Sequence, residues 1–455
     1  MSKKKLNIVL DIGKTNVKLV FLDHKGQFFK EIKTKQTLKF YKKKISYLNS
    51  EKIINWLLLN LNKFSTVYHF KKFVCTTHGG TVAFINHHDQ EILASTDYEY
   101  KYDKFSKDFQ NLAPSFKTSL TPHLEGGLNV GQQIYYLKRI FPEIIENTKF
   151  ILSYPQYITW KLTGNYSSEI SYIGCHSFLW NFKKNNYSSL VRKLKITKKF
   201  PKFNKAWEKI GNLLIKDSKI NVLNGVHDSN ASYLYFKNSA LKKFTLVSTG
   251  TWYIIFNQST KISKLNPKLD MLSSIDVFGN HVPTMRFMGG REYDTLCELL
   301  KITNKTTSKI NEKDLIKNLI YPSFASAGPF KINKNLLKIK KINLNNNQKY
   351  SLICIYMAFT LNFCLDYMNS SSDIILDGPL TKNNFIMGII AILRSKQKVF
   401  SNKKQIGTSL GASLLFNIKK KSKLNLNKIS ILKNTNYKKL YKIWIEEIKK
   451  KNLIN

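Results

Sequence analysis

Acidic side chains are scarce in this sequence: 29 Asp and Glu stand against 74 Lys and Arg, a formal net charge of +45. Such an excess ordinarily suggests nucleic acid or an anionic membrane as a partner. The lysines are dispersed, however, and come with abundant Asn and Ile. The Lys-rich stretches at 41–44, 193–199 and 419–423 are short and lack interleaved aromatics. The bias therefore reads as a solvated background, with no nucleic acid expected as partner. Cysteine is also sparse. The five residues Cys75, Cys175, Cys297, Cys354 and Cys364 are odd in number and contain no C-x-x-C. That argues against a disulfide scaffold and fits reduced, mostly buried thiols in a cytoplasmic protein.

Long apolar runs are missing too. After the basic start MSKKK, the apolar stretch reaches only Leu10 before Asp11, too short for a signal-peptide core. The longest run, 352–368, is interrupted by Thr360, Asn362 and Asp366 and reads as a buried helix, so no membrane is expected as partner. Two nucleotide motifs are absent. No Gly-x-Gly-x-x-Gly occurs, which leaves a dinucleotide fold unsupported. Gly13-Lys14-Thr15 resembles the end of a P-loop, but Ile8 occupies the place of its first Gly, and the following VKLVF is strand-like where a helix is required.

What is present is a protein of 455 residues with 43% hydrophobic and 13% aromatic residues, enough for two or three globular domains. Residues 5–23 (KLNIVLDIGKTNVKLVFLD) read as two strands around a polar turn. Leu6, Ile8 and Leu10 alternate on the way in, and Val17, Leu19 and Phe21 on the way out. The turn groups Asp11, Gly13, Lys14, Thr15 and Asn16, a set that can offer N–H groups and hydroxyls to phosphate oxygens, with Asp11 reaching Mg²⁺ through water. A plain hairpin accounts for this stretch taken alone. A second copy changes the weighing: residues 243–258 (KFTLVSTGTWYIIFNQ) repeat strand, turn and strand around Ser248, Thr249, Gly250 and Thr251. One such hairpin in each half points to internal duplication, with two lobes facing a shared phosphate site.

Further along, a buried strand at 71–77 runs into His78-Gly79-Gly80, where backbone can approach a ligand closely, and Asp97 follows another short strand. His87-His88-Asp89 reads as a solvated turn, and His176 as structural. At 225–231 (GVHDSNA) a strand ends in a Gly turn that presents His227 and Asp228 and then opens a helix of small residues. A capping role alone also explains Asp228. In the second half, 374–376 is a strand that delivers Asp377-Gly378-Pro379-Leu380, Asn383 opens the next helix, and 407–415 (GTSLGASLL) begins another small-residue helix. Strand, Gly turn and helix in this succession suit an adenosine pocket.

These residues together resemble the FGGY carbohydrate kinases over nearly the whole length, closest to the rhamnulokinase and fuculokinase side. DIGKTNVK at 11–18 looks like the first phosphate motif and STGTW at 248–252 the second. GVHDSNA looks like the segment with the catalytic aspartate, DGPLTKNN at 377–384 the adenosine motif, and GTSLGAS at 407–413 the segment after it. Pro379 stands where many members have a second Gly, and His78-Gly79-Gly80 differs from the glycerol and xylulose kinase patterns.

The resemblance implies an α/β, two-lobed, actin-like (ribonuclease H-like) ATPase fold with a central cleft, the lobes being 1–238 and 239–455. It implies ATP-dependent phosphorylation of a ketose such as L-rhamnulose or L-fuculose in carbohydrate catabolism. Asp228 would be the general base, and Asp11 with Asp228 would position Mg²⁺. Asp11, Gly13, Lys14, Thr15, Asn16, Lys18, Thr249, Gly250 and Thr251 would serve the phosphates, and Gly378, Asn383, Gly407 and Gly411 the adenosine side. His78, Gly79, Gly80, Asp97 and His227 are the candidates for the sugar. The expected partner is a small-molecule sugar, and the expected state a cytoplasmic monomer or homodimer. A non-catalytic sugar or nucleotide sensor on the same fold is the rival; loss of Asp11 or Asp228 would favour it, and both are present.

The dispersed charge yields a first prediction. DNA retention at low ionic strength should be weak and fade as salt approaches physiological levels. Tight, sequence-selective binding at physiological salt in a mobility-shift titration would contradict it.

Overall fold

The computed structural model describes residues 3–239, 241, 243–332, 343–402, 407–431 and 436–455. The chain divides into two units. The first comprises Met1–Ala240 with Ser273–His281 and Ile406–Lys423; the second comprises Leu241–Leu272, Val282–Gln405 and Leu424–Asn455. The structure thus returns two stretches of the second half to the first unit, where a split at 238/239 would leave them in the C-terminal lobe.

In the first unit the main sheet comprises β1 (Lys4–Ile12), β2 (Asn16–Asp23), β3 (Phe28–Lys35), β4 (Tyr68–Thr77), β5 (Lys209–Ile215), β6 (Ser218–Leu223) and the short β7 (Val226–His227). They lie in the order β3-β2-β1-β4-β6-β5, with β7 also pairing β4. The β1–β2 hairpin is antiparallel and joins Ile12 to Val17 across its turn. One face of the hairpin, Leu6, Ile8, Leu10, Val17, Leu19 and Phe21, packs with Ile53, Leu57 and Leu61 of the helix Ser50–Phe64. Val9, Val20 and Leu22 on the other face are buried as well. Burial on both faces is the signature of a central strand pair in a layered α/β unit.

The second unit repeats this plan. Its strands β8 (Phe244–Thr249), β9 (Tyr253–Phe256), β10 (His281–Phe287), β11 (Asp373–Asp377), β12 (Val399–Asn402) and β13 (Leu426–Lys428) run β10-β9-β8-β11-β12-β13. Read from β3 in the first sheet and from β10 in the second, the six strands pair antiparallel, antiparallel, parallel, parallel, antiparallel. The two hairpins are therefore equivalent elements of two copies of one topology, as the sequence pattern suggested. The last strand differs in connection: β5 precedes its partner β6, whereas β13 follows β12.

The long apolar segment of the second half is the helix Asn346–Tyr367, buried continuously from Tyr350 to Leu365. It starts six residues before the apolar run because Asn345 and Gln348 form a reciprocal capping box. Among the described residues it is the one helix long and apolar enough to cross a membrane, with mean hydropathy 1.2, and 89% of that stretch is covered by the rest of the fold. A helix apolar all round is what the centre of a large domain requires.

Candidate active site

Register brings the first unit's candidate side chains to one edge. Asp11 of β1 and Val226 of β7 both align with Thr76 of β4. His78 and Asp228 follow directly after their strands, so three parallel strands deliver Asp11, His78 and Asp228 at their C-terminal ends. That edge is where α/β sheets place ligands.

Asp11 is buried, and its Oδ2 accepts a hydrogen bond from Ser409 Oγ at 2.8 Å. Burial raises its carboxyl to about 6. Lys18 and the Ser409 bond pull it down, while the Asp228 charge adds to the rise. Ser409 belongs to the helix Gly407–Ser413, which lies so close to the helix Asp228–Lys237 that a Cβ on Gly411 would collide with the Ala231 carbonyl. The 407–413 segment, grouped with the adenosine motif by resemblance, thus has a packing role in the first unit and supplies a partner to Asp11. Its Gly407 and Gly411, four residues apart, carry the small-residue spacing of a close helix contact, a signal legible in the sequence.

Asp228 is half-buried and opens its helix. Its Oδ1 accepts from the Ser229 N–H at 2.5 Å and Ser229 Oγ at 3.2 Å, and lies 3.6 Å from His227 Nδ1. Burial raises its carboxyl above the usual range. His78 and His227 are both buried, and desolvation pushes each down to about 4, leaving neutral rings at pH 7. The Ser229 bonds are then the main restraint on Asp228 near neutrality. His78 Nδ1 bonds the Gly79 carbonyl at 2.9 Å, whereas His78 Nε2 and His227 Nδ1 are buried without a hydrogen-bond partner.

The His78-Gly79-Gly80 turn is held from outside by groups that sequence reasoning did not single out. Tyr172 OH donates to the Thr81 carbonyl at 2.7 Å and accepts from its N–H at 3.0 Å. Gln133 Nε2 donates to the Gly80 carbonyl at 2.5 Å and also to the Gly127 carbonyl. Gly80 has φ +71, a left-handed conformation that suits glycine.

Lys14 behaves differently from its neighbours in the turn. It forms an ion pair with Asp97, lies 3.5 Å from Glu99 and sits 4.7 Å over the Tyr98 ring. Asp97 also accepts from Ser46 Oγ at 3.0 Å and the Glu99 N–H at 3.0 Å. Lys14 and Asp97 thus tie the turn to the 97–99 loop, and both Asp97 oxygens are occupied. Gly13 closes the turn by donating to Asn16 O at 2.9 Å, Thr15 and Asn16 are exposed, and Lys18 is half-buried.

In the second unit, the β8–β9 turn and the Asp377-Gly378 turn lock together. Thr249 Oγ1 donates to the Asp377 carbonyl at 2.6 Å and accepts from the Leu380 N–H at 3.2 Å. Gly378 has φ +90, and a Cβ there would collide with the Thr249 carbonyl. Gly250 and Thr251 border a cavity of about 800 Å³ that Tyr293, Lys305, Tyr350, Pro379, Leu380 and Asn383 also line. Asn383 caps its helix by accepting from the Ile386 N–H at 3.0 Å, and its Nδ2 donates to Tyr350 OH at 3.0 Å. The volume suits a nucleotide-sized ligand. Tyr293, Lys305 and Tyr350 come from segments without a motif, so only folding reveals them as lining. Trp252 has a different duty, stacking under Arg286, which pairs with Asp270 at 2.9 Å.

Residues 241–424 match the family described as Carbohydrate kinase FGGY, C-terminal domain. The whole chain is similar to a carbohydrate kinase from Novosphingobium aromaticivorans, with 25% identity over 99% of both chains and a TM-score of 0.83. This chain has the FGGY carbohydrate kinase fold. A ligand-bound xylulose kinase from Lactobacillus acidophilus shares it at 15% identity over 98% of each chain, with TM-score 0.76. So does Plasmodium falciparum glycerol kinase with ADP, at 13% identity over 99% of each chain, with TM-score 0.73. No sequence match to a curated protein was found. The protein is a carbohydrate kinase, a phosphotransferase with the two-lobed actin-like, ribonuclease H-like fold. The rhamnulokinase or fuculokinase placement is a finer reading than these likenesses carry.

The open turn in the second unit can be tested. Gly250 has ordinary backbone angles, and the nearest atom to an added Cβ is Trp252 O at 3.9 Å. Gly250→Val should fold normally while its side chain enters the cavity, weakening ATP about tenfold or more, ~1.4 kcal/mol. Calorimetry with unchanged ATP affinity would remove this turn from the nucleotide site.

Proposed function

We propose that this kinase transfers the γ-phosphoryl group of ATP to a primary or sterically open hydroxyl of a ketose, with L-rhamnulose and L-fuculose as the first substrates to examine. The observation that carries this reading is Asp228: a carboxylate at a strand end, beside two buried neutral imidazoles with unpartnered nitrogens. His78 Nε2 can accept from a sugar hydroxyl, because the ring's one proton sits on the Nδ1 that donates to the Gly79 carbonyl, and His227 Nδ1 can donate or accept. A ketose is consistent with the xylulose kinase among the similar structures.

Asp228 accepts the proton of the acceptor hydroxyl as its oxygen bonds to the γ-phosphorus and the bond to the β-bridging oxygen breaks, releasing ADP. General bases contribute about 10²–10⁴ in rate, and positioning and charge neutralisation supply most of the remainder. Gly13, Thr15, Asn16 and Lys18 serve the phosphates from the first turn, and Thr249, Gly250 and Thr251 from the second. Lys14 acts by anchoring its turn to Asp97, so Asp97 supports the sugar loop through Lys14 and Ser46. Gly378 and Asn383 lie on the adenosine side.

Asp11 and Asp228 fit Mg²⁺: both offer hard oxygen donors, and the Asp11 carboxylate feels the Asp228 charge. They would hold the ion, which when bound offsets phosphate charge. The kinase is read as a cytoplasmic monomer or homodimer.

Asp228→Asn preserves size and hydrogen-bond acceptance but removes basicity. Turnover should fall about 10²–10⁴ with sugar affinity and melting temperature nearly unchanged. Near-normal sugar-dependent ATP turnover in a stable variant would leave the mechanism without its base. An ATP-consumption screen over ketopentoses, 6-deoxyketohexoses, aldoses and polyols identifies the sugar class, and a best response to an aldose would contradict the ketose reading.

Asp11 supplies a pH signature. Activity should decline as pH drops through about 6 because its carboxylate protonates. Stability moves oppositely: the folded value lies above the usual 3.8, so Asp11's contribution is fully present below that and lost as pH rises through about 6. A kcat profile run beside thermal melts should therefore show an acid limb without acid unfolding. A flat profile through that range would remove Asp11 from the chemistry.

A further inference from the structure

Cys175, His176 and His227 form a buried cluster in the first unit whose ligand atoms, one sulfur and two ring nitrogens, all lie within 4.8 Å of one another. No step of phosphoryl transfer uses them as a group. We propose that they bind a borderline-soft divalent cation of the Zn²⁺ class, and that an ion there excludes the sugar. The second half rests on the proposed role of His227 toward the sugar; the first does not.

Donor chemistry selects the ion. One thiolate and two neutral imidazoles are the ligands Zn²⁺ takes, whereas Mg²⁺ takes oxygens. Three protein ligands leave a fourth position for water. Thiol coordination releases the Cys175 proton to solvent. Ser274 Oγ, 3.5 Å from Cys175 Sγ, is placed to donate to the sulfur.

Geometry supports the cluster independently. A Cβ on Gly79 would overlap His227 Nε2 and lie 3.3 Å from His176 Nε2, so both nitrogens converge on one stretch of backbone that only a glycine lets them approach this closely. His176 Nδ1 donates to the Leu128 carbonyl at 2.7 Å, the outer-shell bond that orients a ligating ring with Nε2 forward. His176 also holds a left-handed backbone at φ +38, uncommon for a residue with a side chain. His227 Nδ1 is buried, unpartnered and 3.6 Å from Asp228 Oδ1. With metal on Nε2, the Nδ1 proton faces that carboxylate, the carboxylate–histidine–metal arrangement of zinc proteins. An ion held this way turns the His227 Nδ1 proton toward the catalytic carboxylate and takes both groups from the sugar hydroxyl, which accounts for competition with the sugar.

The test is a Co²⁺ titration of the full-length protein read by absorption. A thiolate-to-cobalt charge-transfer band should appear in the near ultraviolet and vanish in Cys175→Ala. Zn²⁺ should inhibit wild type competitively with sugar, and inhibition should weaken about tenfold or more in Cys175→Ala and His176→Asn. Metal-free turnover of Cys175→Ala should match wild type. No thiolate band in wild type would overturn the site, even if the variants fail to fold. Equal Zn²⁺ inhibition of wild type and a folded Cys175→Ala would overturn the regulatory half. A thiolate band in a protein that phosphorylates no sugar would uphold the metal site and reject only the sugar reading.

Discussion

Strand β4 pairs in parallel with β1 on one side and β7 on the other, and this three-strand register decides which side chains share an edge. Asp11, His78 and Asp228 are far apart in the chain and become neighbours only because their strands end level. The antiparallel hairpin locks β1 from its far side, and the helix Asp228–Lys237 continues directly from β7. Shifting β4 by one residue would turn His78 and its glycines to the opposite face.

Burial at that edge carries an electrostatic cost. Two carboxylates and two imidazoles sit largely out of water, so both acids rise and both bases fall. The fold offsets part of it locally: Ser409 bonds Asp11, Ser229 bonds Asp228, and the Gly79 carbonyl bonds His78. Of these four groups, His78 and His227 each keep a buried nitrogen without a partner, Nε2 and Nδ1 respectively. Buried polar atoms without partners are uncommon, and they concentrate where a ligand completes the bonding.

Duplication supplied two hairpins of one topology that have come to do different things. In the first, Lys14 turns away to Asp97 and braces its loop. In the second, Gly250 keeps the turn bare and borders the cavity, while Thr249 clamps the Asp377-Gly378 turn beneath it. The same backbone plan presents a braced turn in one unit and an open turn in the other because Lys14 reaches across to Asp97, whereas Gly250 puts no side chain into the cavity it borders.

Sequence alone determined the hairpins, the buried helix, the strand-to-helix turns at Asp228 and Asn383, and the kinase resemblance. Those features are local: strand alternation, capping residues and glycines act within a few positions, where short-range sterics and hydrogen bonds decide the outcome. Tertiary structure alone decided that Ser409 meets Asp11, that the helix of Gly407 and Gly411 joins the first unit, and that Lys14 pairs with Asp97. It also decided that Tyr293 and Tyr350 line the cavity and that Cys175 and His176 meet His227. Each of these depends on segments tens to hundreds of residues apart. Their meeting follows from sheet register and helix packing, which no local pattern encodes.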